Sequence, residues 1–357
     1  MHRLVPLRMP GGPAFVDALQ RAWDDGDAVL PVDTRLPPAA VDRLLASMRL
    51  DEPVDDDDAL VVATSGTSGE PKGVVLTHEA VRASALATSA RLGVDRTTDA
   101  WLACLPLGYV GGLSVVTRAL VTGTRLVVHD GFDAARVEQA AASDRVTLLS
   151  LVATALRRID ASRFRTIVLG GAAAPGDLPS NVVTTYGMTE TGSGVVYDGE
   201  PLAGLDVRIS TSGEIELRGP MLLSQYRDGH DPKDADGWLR TGDLGAVDRD
   251  TGVVQVFGRA GDLIISGGEN VWPDPVEAVL AGDPDVADVA IVGRADAEWG
   301  QRVVAVVVPR EGAPPPPLDR LRAAVKDRIG AWAAPREIEL VARIPRTALG
   351  KVRRRDL

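Results

Sequence analysis

Residues 64–73 read TSGTSGEPKG, which places four hydroxyl side chains, three glycines and one lysine in ten positions directly after the apolar run 59–63. A loop of that composition brings backbone N–H groups, hydroxyl donors and a cation to one concavity, and phosphate oxygens suit such a set of donors. Thr64, Ser65, Gly66, Thr67, Ser68, Gly69 and Lys72 are therefore candidate phosphate-binding residues. The loop of P-loop nucleotidases needs glycine immediately before its lysine and serine or threonine after it, whereas Pro71 and Gly73 flank Lys72. A surface linker is the plain alternative, disfavoured because apolar segments both enter and leave the loop. Two other groups carry less. Cys104 is the single cysteine and lies in an apolar run, which reads as a buried inert thiol and leaves no disulfide framework or cysteine metal site. The acidic run 51–58 reads as a solvated loop, because consecutive carboxylates without fixed ligand spacing repel instead of converging.

A chain of 357 residues, 45% of them hydrophobic, can bury a sizeable core. Its formal charge of −11 argues against nucleic acid or an anionic membrane as a partner held by bulk electrostatics. Its basic residues are nearly all arginine, the lysines being Lys72, Lys233, Lys326 and Lys351. No apolar run has the length of a membrane span and the N-terminus lacks an apolar signal core, so the expected location is the cytoplasm.

The elements that must position the loop follow from periodicity. From about residue 59, short β-branched runs (59–63, 101–105, 125–129, 147–151, 166–169) alternate with amphipathic stretches (79–92, 113–121, 134–142, 153–160). That alternation predicts a layered α/β domain with a largely parallel sheet. After about residue 200, the runs 206–210, 213–218 and 253–258 have the turn-bounded spacing of antiparallel strands, which predicts a β-rich subdomain. Beyond about 261 the pattern returns to mixed helix and strand, as in a small separate α+β domain. The proline run 314–317 reads as a stiff exposed connection.

Five segments, in order, resemble the signature of the adenylate-forming superfamily of acyl-CoA synthetases, firefly luciferases and peptide-synthetase adenylation domains. They are TSGTSGEPKG; 186–190, YGMTE; 238–244, WLRTGDL; 258–262, GRAGD, running into 266–271, SGGENV; and 345–351, PRTALGK. The resemblance implies an α/β fold with a large N-terminal domain over 1–258, a hinge at 259–262 and a mobile C-terminal domain over 263–357. It also implies residue roles. The 65–69 loop and Lys72 would hold the β- and γ-phosphates of ATP. Thr189 would meet the α-phosphate and Glu190 would hold Mg²⁺. Gly171, Ala172 and Ala173 would lie along one side of adenine, with Thr185 and Tyr186 on the other. Asp243, which could also be only a turn residue, would accept the ribose hydroxyls with Arg259 beside it. Lys351 would neutralise charge developing at the α-phosphate, the alternative being a solvated basic tail. Rotation about Asp262 would bring Gly267, Gly268 and Glu269 to the site for attack by coenzyme A.

The phosphate loop begins early, at residue 64, and within the superfamily this resembles the compact actinobacterial o-succinylbenzoate-CoA ligases of menaquinone biosynthesis. The segment 105–118, LPLGYVGGLSVVTR, looks like their substrate segment. Tyr109, Gly112 and Arg118, with Gly187, Met188, Ser193 and Gly194, are the implied acyl-side residues. An arginine on an apolar helix calls for a carboxylate partner, and o-succinylbenzoate carries one carboxylate beyond the one activated; a structural ion pair is the alternative. Tyr109 stands where these ligases usually have histidine, so another aryl or short acyl acid stays open as substrate. A nucleotide-binding protein without turnover also stays open, as does a homodimer.

Overall fold

The computed structural model describes residues 2–65, 71–171, 178–346 and 352–357. Gly66, Thr67, Ser68, Gly69, Ala172, Ala173 and Lys351, all read from sequence as site residues, lie outside the described residues. The chain divides into two compact units, the first from residues 1–170, 179–208 and 216–240, the second from 171–178, 209–215 and 241–357.

The first unit contains two sheets. One runs in the order Leu4–Leu7, Ala28–Pro31, Asp58–Ser65, Pro71–Thr77, Gln225–Tyr226. Its first three strands are parallel and the last three antiparallel. Parallel neighbours need crossovers, which the helices Pro13–Asp24 and Pro38–Ser47 supply. Leu30, Val41, Leu44, Met48, Val61 and Val75 form the core beneath them. Sequence periodicity assigns no element before residue 59, because four-residue strands such as LVPL carry a proline that lowers the strand signal. The carboxylates of the acidic run are exposed as expected except at its end, and Val54 within it is buried. Asp58 is 5% exposed and its carboxylate accepts the Asp55 N–H.

The other sheet runs in the order Glu200–Pro201, Gly194–Tyr197, Val182–Gly187, Thr166–Leu169, Leu148–Leu151, Ala100–Ala103, Arg125–Val128. From Val182–Gly187 onward the pairs are parallel, as predicted, and the strands AWLA, LLSL and TIVL are buried throughout. Uninterrupted burial is the mark of parallel strands covered on both faces. Gly194–Tyr197 turns back antiparallel onto Val182–Gly187, so the chain just after YGMTE folds onto the strand leading into it. The helices are His78–Arg91, Val110–Thr122, Ala134–Ser143 and Ala153–Leu156. The last is shorter than expected, because Asp160 caps a separate 3-10 turn by accepting the Ser162 N–H at 3.1 Å.

In the second unit, the strand Leu239–Val247 pairs antiparallel with Val254–Arg259 over Asp243↔Arg259 to Val247↔Val254. Sequence reading gives TGD a ribose-binding role, with a turn as the alternative, and assigns no strand here. Gly242 does have a left-handed φ of 74°, but the chain stays extended around it. A second sheet joins Glu269–Val271, Ile264–Ser266, Gly300–Pro309 and Val286–Asp296, with Glu337–Leu340 parallel to Gly300–Pro309. The helices Pro273–Leu280 and Leu318–Arg328 pack with it around Val276, Leu280, Ile291, Val303, Leu321 and Val325.

Candidate functional site

In the first unit the strands flanking the glycine and hydroxyl loop are a hairpin, with Thr64 opposite Lys72 and Ser65 opposite Pro71. The loop is therefore held at both ends by one antiparallel ladder, unlike the strand-to-helix loop of P-loop proteins. Lys72 Nζ lies 5.0 Å from the centre of the Tyr226 ring, and the Tyr226 hydroxyl donates to Glu190 Oε1 at 3.0 Å. Tyr226 reaches both because Gln225–Tyr226 pairs with Val74 and Val75 of the same hairpin. Sequence reasoning missed Tyr226, since a two-residue strand leaves no periodic signal.

Glu190 and Thr189 sit in the 3-10 turn Thr189–Thr191. Thr191 Oγ1 accepts the Met188 N–H at 3.0 Å and is 2.7 Å from the Ser193 carbonyl, and Leu223 N–H caps the Glu190 carbonyl at 2.8 Å. Thr185 and Tyr186 lie just before, on Val182–Gly187, where Thr185 Oγ1 donates to the Leu169 carbonyl at 3.2 Å. Gly187 is required by packing: a Cβ there would come within 2.2 Å of the Ser193 carbonyl oxygen. Gly194 is required likewise, its Cβ meeting Thr185 Cβ at 2.8 Å. Gly187 and Gly194 thus let the turn that carries Glu190 close onto the sheet.

Arg118 lies on Val110–Thr122 and is 2% exposed. Its guanidinium carbon is 4.8 Å from the centre of the buried Trp101 ring, and among the described residues its Nε and Nη1 have no hydrogen-bond acceptor. Burial drives its pKa down from the ordinary arginine value, with Tyr197 opposing, yet a guanidinium does not give up its proton in a protein. Arg118 lines a pocket with Leu60, Leu76, Ser84, Thr117 and Gly192. Ser193 reaches the edge of that group, its Oγ 3.0 Å from Ser84 Oγ. Gly112, on the same helix, packs against the Leu105 and Pro106 carbonyls, which a Cβ would meet at 2.6 Å; its demonstrated task is close packing. Tyr109 is the N-cap residue of the helix and interacts with Asp33. Burial, reinforced by Asp33, raises the Tyr109 pKa. Against the penalty of burial, Arg35 holds Asp33 below the usual carboxylate range through bonds of 2.9 and 2.7 Å. The Asp33–Arg35 pair has no counterpart in the sequence reading.

In the second unit the two residues read as ribose partners face each other across a strand pair. Arg259 Nε is 2.9 Å from Asp243 Oδ1, and Arg259 Nη1 donates to the Thr241 carbonyl at 2.9 Å. Gly242 N–H donates to Glu214 Oε1 and Asp243 N–H to Thr241 Oγ1, which fixes the backbone carrying a carboxylate that is 7% exposed. Gly171 also belongs to this unit. Asp262 ends the 3-10 turn Ala260–Asp262, and Gly267 and Gly268 form the two-residue turn between Ile264–Ser266 and Glu269–Val271, with φ of 62° and 86°. Cys104 is buried, and burial pushes its thiol up to about 12. Among the described residues no cluster of three or more His, Cys, Asp or Glu could hold a metal ion, and no helix is long and apolar enough to cross a membrane.

The model of the AMP-binding enzyme family matches residues 19–271, and that of the AMP-binding enzyme C-terminal domain matches residues 275–351. A probable 2-succinylbenzoate–CoA ligase of Mycobacterium tuberculosis is 40% identical, over 98% of this chain and 97% of its own length. The 2-succinylbenzoate–CoA ligase of Listeria innocua is 34% identical over 84% of this chain and 69% of its own. A solved structure of o-succinylbenzoate CoA synthetase from Bacillus subtilis, in complex with the acyl-adenylate intermediate OSB-AMP, matches with a TM-score of 0.87 at 27% identity, covering 99% of this chain and 87% of that one. The first-unit hairpin and turn and the second-unit Asp243–Arg259 pair both lie within the longer match, and likeness extends along nearly the whole sequence: the chain belongs to the AMP-binding enzyme family.

Proposed function

We propose that this chain is an ATP-dependent o-succinylbenzoate–CoA ligase, working in the cytoplasm on menaquinone biosynthesis. The observation that carries the substrate is Arg118, a buried guanidinium whose Nε and Nη1 have no acceptor among the described residues, beside an otherwise mostly apolar pocket. A buried guanidinium that has an aromatic face beside it but lacks acceptors for two of its nitrogens is costly, and a ligand carboxylate relieves that cost where an apolar acyl chain could not. The acid therefore carries two carboxylates, one at Arg118 and one at the reacting end.

In the first half-reaction the reacting carboxylate oxygen attacks the α-phosphorus of ATP and the bond to pyrophosphate breaks, leaving an acyl-adenylate. The 65–69 loop and Lys72 hold the outer phosphates and Thr189 meets the α-phosphate. Tyr186 covers one face of adenine and Gly171 to Ala173 line its other side. Asp243 accepts the ribose hydroxyls, kept in place by Arg259. Lys351 neutralises the charge developing at phosphorus, the kind of contact that dominates such catalysis. Glu190, a carboxylate already oriented by Tyr226, is the residue that would hold Mg²⁺, a hard cation suited to oxygen ligands. The metal would supply charge neutralisation at the phosphates. In the second half-reaction the coenzyme A thiol loses its proton and its sulfur attacks the acyl carbon, expelling AMP. Residues 263–357 would rotate on a hinge at 259–262, centred on Asp262, against 1–258. This withdraws Lys351 and presents the Gly267–Glu269 turn.

The deciding experiment measures pyrophosphate release with MgATP and o-succinylbenzoate, beside benzoate, salicylate and a short fatty acid, with and without coenzyme A. Release selective for o-succinylbenzoate is expected, with loss of that selectivity in Arg118→Ala; release with another acid alone would overturn the substrate. Size-exclusion chromatography of the same preparation tests the homodimer.

A further inference from the structure

We propose that Arg354 is a positioning residue for the first half-reaction, tying the chain end that follows Lys351 to the hinge residue Asp262 and to the helix Pro273–Leu280. The proposal rests on the roles given above to Lys351 and Asp262. Residues 352–357 are not a solvated basic tail. Arg354 Nη1 is 3.4 Å from Asp262 Oδ2, and Nη2 is 2.7 Å from both Asp274 Oδ1 and Glu277 Oε1. Its Nε donates to the Ile291 carbonyl at 3.3 Å. The side chain is only 15% exposed, although Arg353 beside it is 60% exposed.

The residues on either side of the lysine segment are bridged to each other and each is also anchored to the sheet. Before it, Arg346 pairs with Asp288 on Val286–Asp296. After it, Val352 bridges Arg346 and packs on the cluster of Ala290, Val292, Val304 and Val306. Arg354 alone among these contacts reaches Asp262, so it links the lysine segment to the residue about which the domain would turn. A planar guanidinium with several donors in a fixed fork can bridge three carboxylates and a carbonyl that come from three stretches of chain, which a point charge cannot do. Small misplacement of a catalytic group, even by a residue remote from the chemistry, costs about 10²-fold in rate.

The test uses the full-length enzyme and separates the half-reactions: acid-dependent pyrophosphate release, and thioester formation from supplied o-succinylbenzoyl-adenylate and coenzyme A. Arg354→Gln is expected to slow the first about 10²-fold and to change the second by less than about threefold, with Arg354→Lys recovering only part of the loss. Because Arg354 acts through Lys351, Arg354→Gln should add almost nothing in a Lys351→Ala background. Equal loss of both half-reactions, or independent additive losses in the double variant, marks Arg354 as merely structural and overturns the proposal. Adenylation that falls in Lys351→Ala but not in Arg354→Gln overturns this proposal alone. Adenylation unchanged in Lys351→Ala overturns the role of the lysine and the proposal with it.

Discussion

The Tyr226 hydroxyl donates a 3.0 Å hydrogen bond to Glu190, and the same ring lies under the Lys72 ammonium at 5.0 Å. One aromatic side chain thus touches both the carboxylate assigned to the cation and the lysine assigned to the phosphates, and it aims them before any ligand arrives. Tyr226→Phe keeps the ring and its contact with Lys72 but frees the Glu190 carboxylate to rotate. A hydrogen bond to a charged group contributes about 1.5–3 kcal/mol, so adenylate formation should fall about tenfold at limiting magnesium and recover in part as magnesium is raised. A magnesium titration of pyrophosphate release is the measurement; an unchanged magnesium dependence would remove Tyr226 from the site.

Asp243 and Arg259 face each other at 2.9 Å on adjacent strands. If Arg259 serves mainly to orient Asp243, then Asp243→Asn should raise KM for ATP about tenfold or more, and Arg259→Gln should raise it less. Adding the second change to the first should alter little, since residues acting through one contact are not additive. Steady-state kinetics on the three variants decide it: full additivity means that Arg259 reaches the nucleotide on its own.

How far the sequence carries can be read from single residues. Arg118 stands out as one cation on an apolar helix, and the alternation of apolar runs places that helix and its sheet, because local periodicity is dictated by which face is buried. Asp243 and Glu190 are singled out in the sequence only by the short motifs around them. Tyr226 is not, because it reaches Glu190 only through strand pairing with Val74, far away in sequence. Arg354 reads as one of three consecutive arginines until folding brings Asp262, Asp274 and Glu277 around it. The Asp33 carboxylate at Tyr109 likewise depends on how the first α/β segment folds, a segment whose strands are too short to announce themselves. What the sequence hides are the contacts whose partners meet only in the tertiary structure.

Gly267 and Gly268 separate two properties of the turn assigned to the thiol step. Both have positive φ, but a Cβ on Gly267 would come within 2.6 Å of the Trp299 ring, while Gly268 faces open space. Both alanine variants carry backbone strain of about 1–3 kcal/mol; only Gly267→Ala must also displace Trp299. Thioester formation from supplied adenylate should fall much further in Gly267→Ala than in Gly268→Ala, while pyrophosphate release stays near normal in each. Equal effects of the two on both half-reactions would mean that the turn matters only through its backbone.

Glu277 carries a pH dependence whose sign is fixed by its surroundings. Burial pushes its carboxyl from the ordinary 4.5 up to about 7, against the pull of Arg354 and the Ile291 N–H, with Asp274 adding repulsion. Below about pH 7 the folded chain therefore keeps a proton on Glu277 that the unfolded chain has released, and above it the ionised carboxylate faces Arg354. Between about pH 4.5 and 7 the folded state binds more protons, so stability falls as pH rises through that window. A glutamine at 277 resembles the protonated acid, can still accept the Ile291 N–H, and does not ionise. Glu277→Gln should consequently match the parent enzyme near pH 5 and exceed it near pH 8, by up to a few kcal/mol. Denaturant unfolding of both proteins at the two pH values measures the difference. A displacement of the same size at pH 5 and pH 8 would mean that Arg354 keeps Glu277 ionised throughout, and that its attraction outweighs burial in this cluster.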